Sequence, residues 1–312
     1  MEDSNQTSSG TFILLGLSNV LHLQIICFMM FLVMYLITLS GNFLVIIVVR
    51  INPKLHTPMY FFLSNLSVLD ICFSSTIVPR LLINTLSRDR SISLLGCALQ
   101  MYFHLTLGAT ECVILAVMAY DRYVAICLPL HYMNIMSSTV CAYIAIGSWG
   151  SCFINAAMHV GLAFRLPFCR SHHVNHFFCE LPLFFRMSCK DPWINELLNL
   201  IAALILVVAA FSLILISYIQ IISNILKISS SQGRQKTFST CASHLIVVSI
   251  YYGTIMSLYL RPHSASSPEV DKAVSLIYTA VTPMLNPIIY SMRNKDVINT
   301  IRIKFIRQAE NH

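Results

Sequence analysis

The chain has 312 residues, of which 56% are hydrophobic and only 11% charged, and its formal net charge is +7. Soluble domains carry about 25% charged residues, so a chain this poor in charge cannot cover a water-facing surface and reads as an integral membrane protein. No basic face or arm is long enough to follow a phosphate backbone, which argues against nucleic acid as a partner. The positive excess bears on membrane orientation instead.

The first ten residues, MEDSNQTSSG, are acidic and polar. They lack the basic start and early apolar core of a signal peptide, so the first apolar helix is expected to serve as its own targeting signal. Asn5-Gln6-Thr7 is a glycosylation sequon, usable where the tail lies outside the cell. Asn65-Leu66-Ser67 has the same pattern but sits inside an apolar run, beyond the transferase's reach. About 20 mostly apolar residues are needed for a helix to cross the hydrocarbon core. Leu23–Val49, Thr139–Phe164, Leu197–Leu226, Thr237–Leu260 and Ala273–Met292 contain no Asp, Glu, Lys or Arg. Thr57–Pro79 contains only Asp70 and Ser91–Tyr120 only Glu111, which brings the number of candidate spans to seven. The runs are continuously apolar, without the alternation of a membrane barrel. The expected fold is an all-α membrane protein, a seven-transmembrane helix bundle forming one domain over residues 1–312. Residues 1–22 are its outer tail, 23–292 the bundle and 293–312 the inner tail. Within that inner tail, Lys295–Arg307 places Val297, Ile298, Ile301, Phe305 and Ile306 on one face, a short amphipathic helix suited to the membrane surface and its lipid.

Seven spans put the termini on opposite sides. With the N-terminus outside, eleven Lys and Arg fall inside and nine outside, a small bias in the direction of the positive-inside rule. Cysteines add to it. Seven of the eleven fall within spans or at their ends, where they serve as small packing residues. Cys97, Cys169, Cys179 and Cys189 all lie on the outer side, an even set that reads as two disulfides with three pairings open. Three of the four stand in the Arg165–Glu196 loop, which a bond to Cys97 would hold as a lid over the bundle. His176 to Glu180 lacks the four-ligand spacing of a metal site and reads as a disulfide cysteine with loop neighbours.

Ionisable residues at membrane depth are costly and usually functional. Asp70 and Glu111 are the two mid-span carboxylates, with Asn42, Asn65, Ser67 and Asn286 at comparable depth. Two acids with no buried Lys or Arg invite protonation, a small cation such as sodium, or a neutral hydrogen-bonded network joining helices. Arg122 sits with Asp121 at the inner end of a span, between Tyr120 and Tyr123 of the interfacial belt. Taken alone, it reads as a helix-end arginine reaching for water. Pro287, after Asn286, removes a backbone hydrogen bond and allows a kink.

Several stretches together resemble one family. They are GN at 41–42, LHTPMYFFLSNLSVLD at 55–70, MAYDRYVAIC at 118–127, PLHY at 129–132, KTFSTCASHL at 236–245 and PMLNPIIYSMRNKDV at 283–297. In this order they are similar to the odorant receptors, among the rhodopsin-like G-protein-coupled receptors, and HFFCELP in the second outer loop resembles the tetrapod-type (class II) branch. The resemblance implies that Arg122, with Asp121, is the arginine restrained at rest and offered to the G protein when active. Tyr218 and Tyr290 would rearrange around it, with Asn286 and Pro287 in the switch. It also implies disulfides Cys97–Cys179 and Cys169–Cys189, and a sodium-linked role for Asp70, Glu111 and Asn286. Tyr252 takes the position where most rhodopsin-like receptors have a toggle tryptophan. YYG at 251–253 in place of the more usual FYG, and Leu128 where a polar residue is common, are the departures.

The implied activity is that of a plasma-membrane odorant receptor. A small, volatile, mostly apolar ligand would bind between helices three, five, six and seven and activate a heterotrimeric stimulatory G protein, raising cyclic AMP. By helical spacing and family position the lining is expected from His104, Leu105, Gly108 and Ala109 of the third helix and Ala202 and Leu206 of the fifth. Tyr252, Ile255 and Tyr259 of the sixth and Thr279 of the seventh would complete it. No cofactor other than the sodium ion is implied. A visual pigment would need a mid-span lysine, which Ala273–Met292 lacks, and an enzyme would need a catalytic set such as H-E-x-x-H or G-x-S-x-G, which is absent. A transporter would show repeated halves or paired broken helices. The nearest rival is a non-olfactory receptor of the same superfamily for a metabolite or peptide.

Overall fold

The computed structural model describes residues 11–17, 20–87, 89–168, 173–227, 230–259, 268–291, 297–300 and 302. Seven long helices follow the seven apolar runs. They are α1 (Leu21–Ile51), α2 (Pro58–Leu86), α3 (Leu94–Cys127), α4 (Ser138–Ala163), α5 (Trp193–Leu226), α6 (Ser231–Tyr259) and α7, residues 268–291. Six are long and apolar enough to cross a membrane; α6 has a shorter apolar stretch, Cys241–Ser257, because its first turns are polar. Outward side chains such as Ile146, Ile154, Ile205 and Ile219 are more than 60% exposed, the apolar surface that lipid would cover. α3 is the hub, packed against α2, α4 and α5, with Ile114, Leu115, Met118, Ala119 and Val124 fully buried.

Pro79 of α2 and Pro287 of α7 are accommodated by neighbours. α2 runs through Pro79 to Leu86, past the expected end of that span, and the Gln100 amide of α3 donates to the Thr76 carbonyl at 3.1 Å in the preceding turn. In α7, Pro287 has no N–H for the carbonyl of Pro283 four residues back. Asn42 Nδ2 of α1 donates to that carbonyl at 3.1 Å instead. A Cβ at Gly41 would stand 3.0 Å from Pro287 Cγ, so glycine there lets α1 approach the proline closely. Asn42→Leu leaves the buried Pro283 carbonyl bare and is expected to destabilise the bundle by about 1–3 kcal/mol. A lower melting temperature in lipid nanodiscs checks this.

α7 is not a regular helix. It consists of Pro268–Leu276, a π-helical turn Ile277–Val281, and Thr282–Ser291. Such turns hold one residue more than an α-turn and often mark functional sites.

The outer end is roofed. Residues 11–14 of the expected tail form β1 (Thr11–Leu14), the middle strand of a small sheet. It pairs antiparallel with β2 (Ser91–Ser93) and parallel with β3 (His173–Val174). Phe12 and Leu14 point inward and Thr11 and Ile13 outward, the period of two of a half-buried strand. Phe12 packs edge-on against Phe184, ring centroids 5.0 Å apart, in a short helix Leu181–Arg186 within the expected loop. Lys272 Nζ donates to the Gly16 carbonyl at 3.1 Å and to Asn175 Oδ1 at 2.9 Å, tying tail, loop and α7 together. Cys97 and Cys179 form a disulfide. Cys189 is disulfide-bonded, and Cys169 lies outside the described residues, as do Asn5 and most of Lys295–Arg307. Residues 297–300 are helical, with Val297 buried and Thr300 accepting from Asn52 at 2.8 Å.

Candidate functional site

Beneath the lid lies a cavity of about 110 Å³. α3 contributes His104, Leu105, Gly108, Ala109 and Cys112, and α5 contributes Asn199, Ala202, Ala203, Leu206 and Val207. Phe73 of α2, Asn155 and His159 of α4, Ile255 of α6 and Tyr278 of α7 complete the wall. Seven of the ten expected lining residues are therefore on it. Tyr252 is not: it is 2% exposed, stacks toward Phe211 and spends its hydroxyl on the Cys112 carbonyl at 3.2 Å. Thr279 is buried with its hydroxyl on the Ser275 carbonyl at 2.6 Å, and the π-turn presents Tyr278 to the cavity in its place. The Tyr259 side chain lies outside the described residues. The involvement of α4 was not anticipated, although Asn155 and His159, polar residues four apart in an apolar span, were a signal for it.

The lid tip packs against α3. Phe177, Phe178 and Cys179 are fully buried, the Cys179 N–H donates to Gln100 Oε1 at 2.9 Å, and Phe178 lies 4.9 Å from the His104 ring. Tyr278 and His104 Nε2 hydrogen-bond at 2.6 Å. His176 stacks on Phe177 at 4.5 Å; burial, with Lys272 and His104 nearby, pushes its pKa down to about 3, so the ring is neutral. Beside it Glu180 is part-buried, and burial followed by the Asp271 charge pushes its carboxyl up to about 7 despite Arg186. A raised carboxyl pKa stabilises the fold most at low pH. That contribution is full below about 4.5 and lost as pH rises through about 7. Glu180→Gln is expected to flatten this part of the pH dependence and to stabilise the lid on the alkaline side, read as nanodisc melting temperature against pH. Among the described residues no group of three His, Cys, Asp or Glu could hold a metal, and Cys179 is spent in the disulfide.

Halfway down, Asn286 Nδ2 donates to both Asp70 oxygens, at 2.9 and 3.1 Å. Glu111 stands beside this pair, interacting with both residues, and its Oε1 is buried and unpaired. The other polar residues at comparable depth do not join this pair. Asn42 serves Pro283, and Asn65 accepts from Trp149 Nε1 of α4 at 3.4 Å, because their helix faces turn toward α7 and α4 respectively. Ser67 is buried without a hydrogen bond to Asp70.

At the inner end Asp121 accepts a hydrogen bond from the Tyr132 hydroxyl at 2.9 Å, and it makes no ion pair with Arg122. Adjacent helix positions diverge by about 100°, so the carboxylate meets the PLHY loop instead of its neighbour. Burial and the Asp121 charge push the Tyr132 phenol up, which keeps it a donor. Arg122 is half-buried with Nε unpaired, within electrostatic reach of Tyr218, Cys241, His244 and Tyr290. Tyr218 spends its hydroxyl on His244 Nδ1 at 2.7 Å, and Tyr290 has a buried, unpaired hydroxyl. His244, assigned no role from sequence, is the centre of this end. Its Nε2 contacts the Leu115 carbonyl at 3.0 Å. A carbonyl only accepts, so Nε2 carries the proton and Tyr218 donates to Nδ1. One neutral imidazole thereby links α3, α5 and α6, while Ser243 donates to the Ile289 carbonyl of α7 at 3.2 Å.

A lidded cavity at one end and a hydrogen-bonded cluster at the other are thus held in one bundle of seven helices. A family model described as olfactory receptor matches residues 31–308. Human olfactory receptor 5G3 is 48% identical over 308 residues, 99% of this chain and 98% of the relative. Mouse olfactory receptor 5G9 is 48% identical over 297 residues, 95% of each. Dog olfactory receptor-like protein OLF1 is 49% identical over 295 residues, again 95% of each. The chain belongs to the olfactory receptor family, a family of G-protein-coupled receptors and not of enzymes.

Proposed function

We propose that this receptor recognises a small volatile molecule, mostly apolar, in the cavity under the lid and couples it to a stimulatory G protein that raises cyclic AMP. The observation that carries this reading is the cavity itself: about 110 Å³, walled mainly by aliphatic and small side chains, with the buried lid residue Phe178 packed 4.9 Å from the wall residue His104. A volume of about 110 Å³ suits a small ligand better than the peptide alternative. The disulfide at the lidded end belongs on the oxidising side of a membrane, which supports an extracellular N-terminus and, with it, a cytosolic position for Arg122. Asp70, the free Glu111 Oε1 and the free Asn286 Oδ1 are oxygen donors of the kind that suits a hard cation, and they are our candidates for holding sodium.

The ligand must favour the active arrangement over the resting one, because equal affinity for both shifts nothing. We assign the resting restraint to the Tyr218–His244–Leu115 link, whose release would let α5 and α6 part from α3 and free Arg122. The test is a cyclic AMP assay in cells carrying the surface-tagged receptor. Ala202→Phe, which fills the cavity, should abolish responses that the native chain gives to volatile ligands. A response unchanged by that substitution would remove the cavity from the account.

A further inference from the structure

We propose that the ligand of this receptor carries one neutral hydrogen-bonding group, such as an alcohol, aldehyde or ketone oxygen, seated on the cavity wall made by Asn155 and His159 of α4 and Asn199 of α5. The inference rests on the cavity being the ligand site and adds the chemical class that the site takes.

The polar groups around the cavity fall into two sets. On the α3 and α7 side, His104 and Tyr278 satisfy each other at 2.6 Å. On the α4 and α5 side, Asn155, His159 and Asn199 line the cavity and have no side-chain hydrogen-bond partner among the described residues. His159 is 4% exposed, and its Nε2 is buried and unpaired. Asn155 and His159 lie four residues apart, hence on one face of α4. At membrane depth no bulk water compensates such groups, and unpaired polar atoms there are costly. The buried, unpaired His159 Nε2, on one patch with the half-buried Asn155 and Asn199, is explained by a partner that arrives with the ligand.

Charge narrows the class further. Among the described residues no Asp, Glu, Lys or Arg lines the cavity. A carboxylate or ammonium would lose its hydration with no fixed counter-charge to replace it, so the group is neutral. Asparagine offers both donors and an acceptor, and neutral histidine one of each, so the patch serves a hydroxyl or a carbonyl equally well. Leu105, Leu206, Val207 and Ile255 leave the remaining wall to a carbon body. The volume, about 110 Å³, is below the roughly 150 Å³ that houses benzene in an apolar protein cavity, which limits the ligand to about six carbons.

The test uses matched sets of roughly six-carbon probes, linear and cyclic: the hydrocarbon, alcohol, ketone, carboxylic acid and amine. Cyclic AMP is measured in cells expressing the native chain, His159→Leu, His159→Gln and Ala202→Phe, each with antibody counting of receptor at the surface. Neutral oxygenates should act at about 10- to 100-fold lower concentration than the hydrocarbon, with acids and amines weaker still. His159→Leu should erase most of that preference, and His159→Gln, which keeps a donor and an acceptor, should retain much of it. Equal potency of hydrocarbon and oxygenate, stronger responses to acids or amines, silence toward every probe, or a preference untouched by His159→Leu would each overturn the proposal. If responses instead survive Ala202→Phe, the cavity reading has failed. If Ala202→Phe abolishes them while His159→Leu leaves the preference intact, only the assignment of chemical class has failed.

Discussion

Arg122→Ala is expected to reduce ligand-driven cyclic AMP to the level of cells without receptor, while the tagged protein still reaches the cell surface. The structure gives a reason for separating these two outcomes. Arg122 forms no ion pair with Asp121, whose carboxylate is held by Tyr132, and its Nε is unpaired. The hydrogen bonds that close the inner end run through Tyr218, His244 and the Leu115 carbonyl, with Asn224 Nδ2 of α5 contacting Cys127 Sγ of α3 at 3.2 Å. Removing the guanidinium breaks none of them, so the fold should survive. What is lost is a positive charge poised next to the link that must open. A full response with normal surface counts would contradict the role given to Arg122.

The second large effect is expected at the lid. Cys97→Ser or Cys179→Ser opens a bond between residues 82 positions apart, and loss of a native disulfide spanning such a loop typically costs about 2–5 kcal/mol. Here the bond also pins Phe177 and Phe178 over the cavity, both fully buried. Surface delivery should fall to a small fraction of native, and the receptor that does arrive should lose its response. The double replacement should be no worse than either single one, since both break the same bond. Native delivery and response in the single variants would show that the lid holds without the bond.

The helices were legible because each hydrocarbon-crossing segment must be long and apolar, and the seven runs correspond to the seven helices. The Asp70–Asn286 contact was legible for a related reason: polar groups at that depth are few and must find one another. Other features were hidden for physical reasons. β1 rests on only two inward residues, Phe12 and Leu14, a pattern too short to stand out in a polar tail. Helical spacing gives a residue's angle on its own helix but not the neighbour it meets, so Asn42 and Asn65 were grouped with Asp70 although they serve Pro283 and Trp149. Tyr278 and Thr279 lie within the Ile277–Val281 turn, which departs from regular α-helical spacing, so spacing along α7 did not select Tyr278 for the cavity. His244 was hidden within the KTFSTCASHL stretch because a lone histidine in an apolar span has several ordinary uses. Only the carbonyl of Leu115 on one side and the Tyr218 hydroxyl on the other define its tautomer and its role.

The claim on which the account depends is that a ligand in the outer cavity opens the inner end. Its most direct measurement is the distance between probes at Leu130, 93% exposed just after α3, and Gln232, exposed in the first turn of α6, in nanodisc-embedded receptor. Addition of a volatile that raises cyclic AMP should lengthen this distance in the native chain and leave it unchanged in Ala202→Phe. A cyclic AMP rise with the distance unaltered would contradict the account.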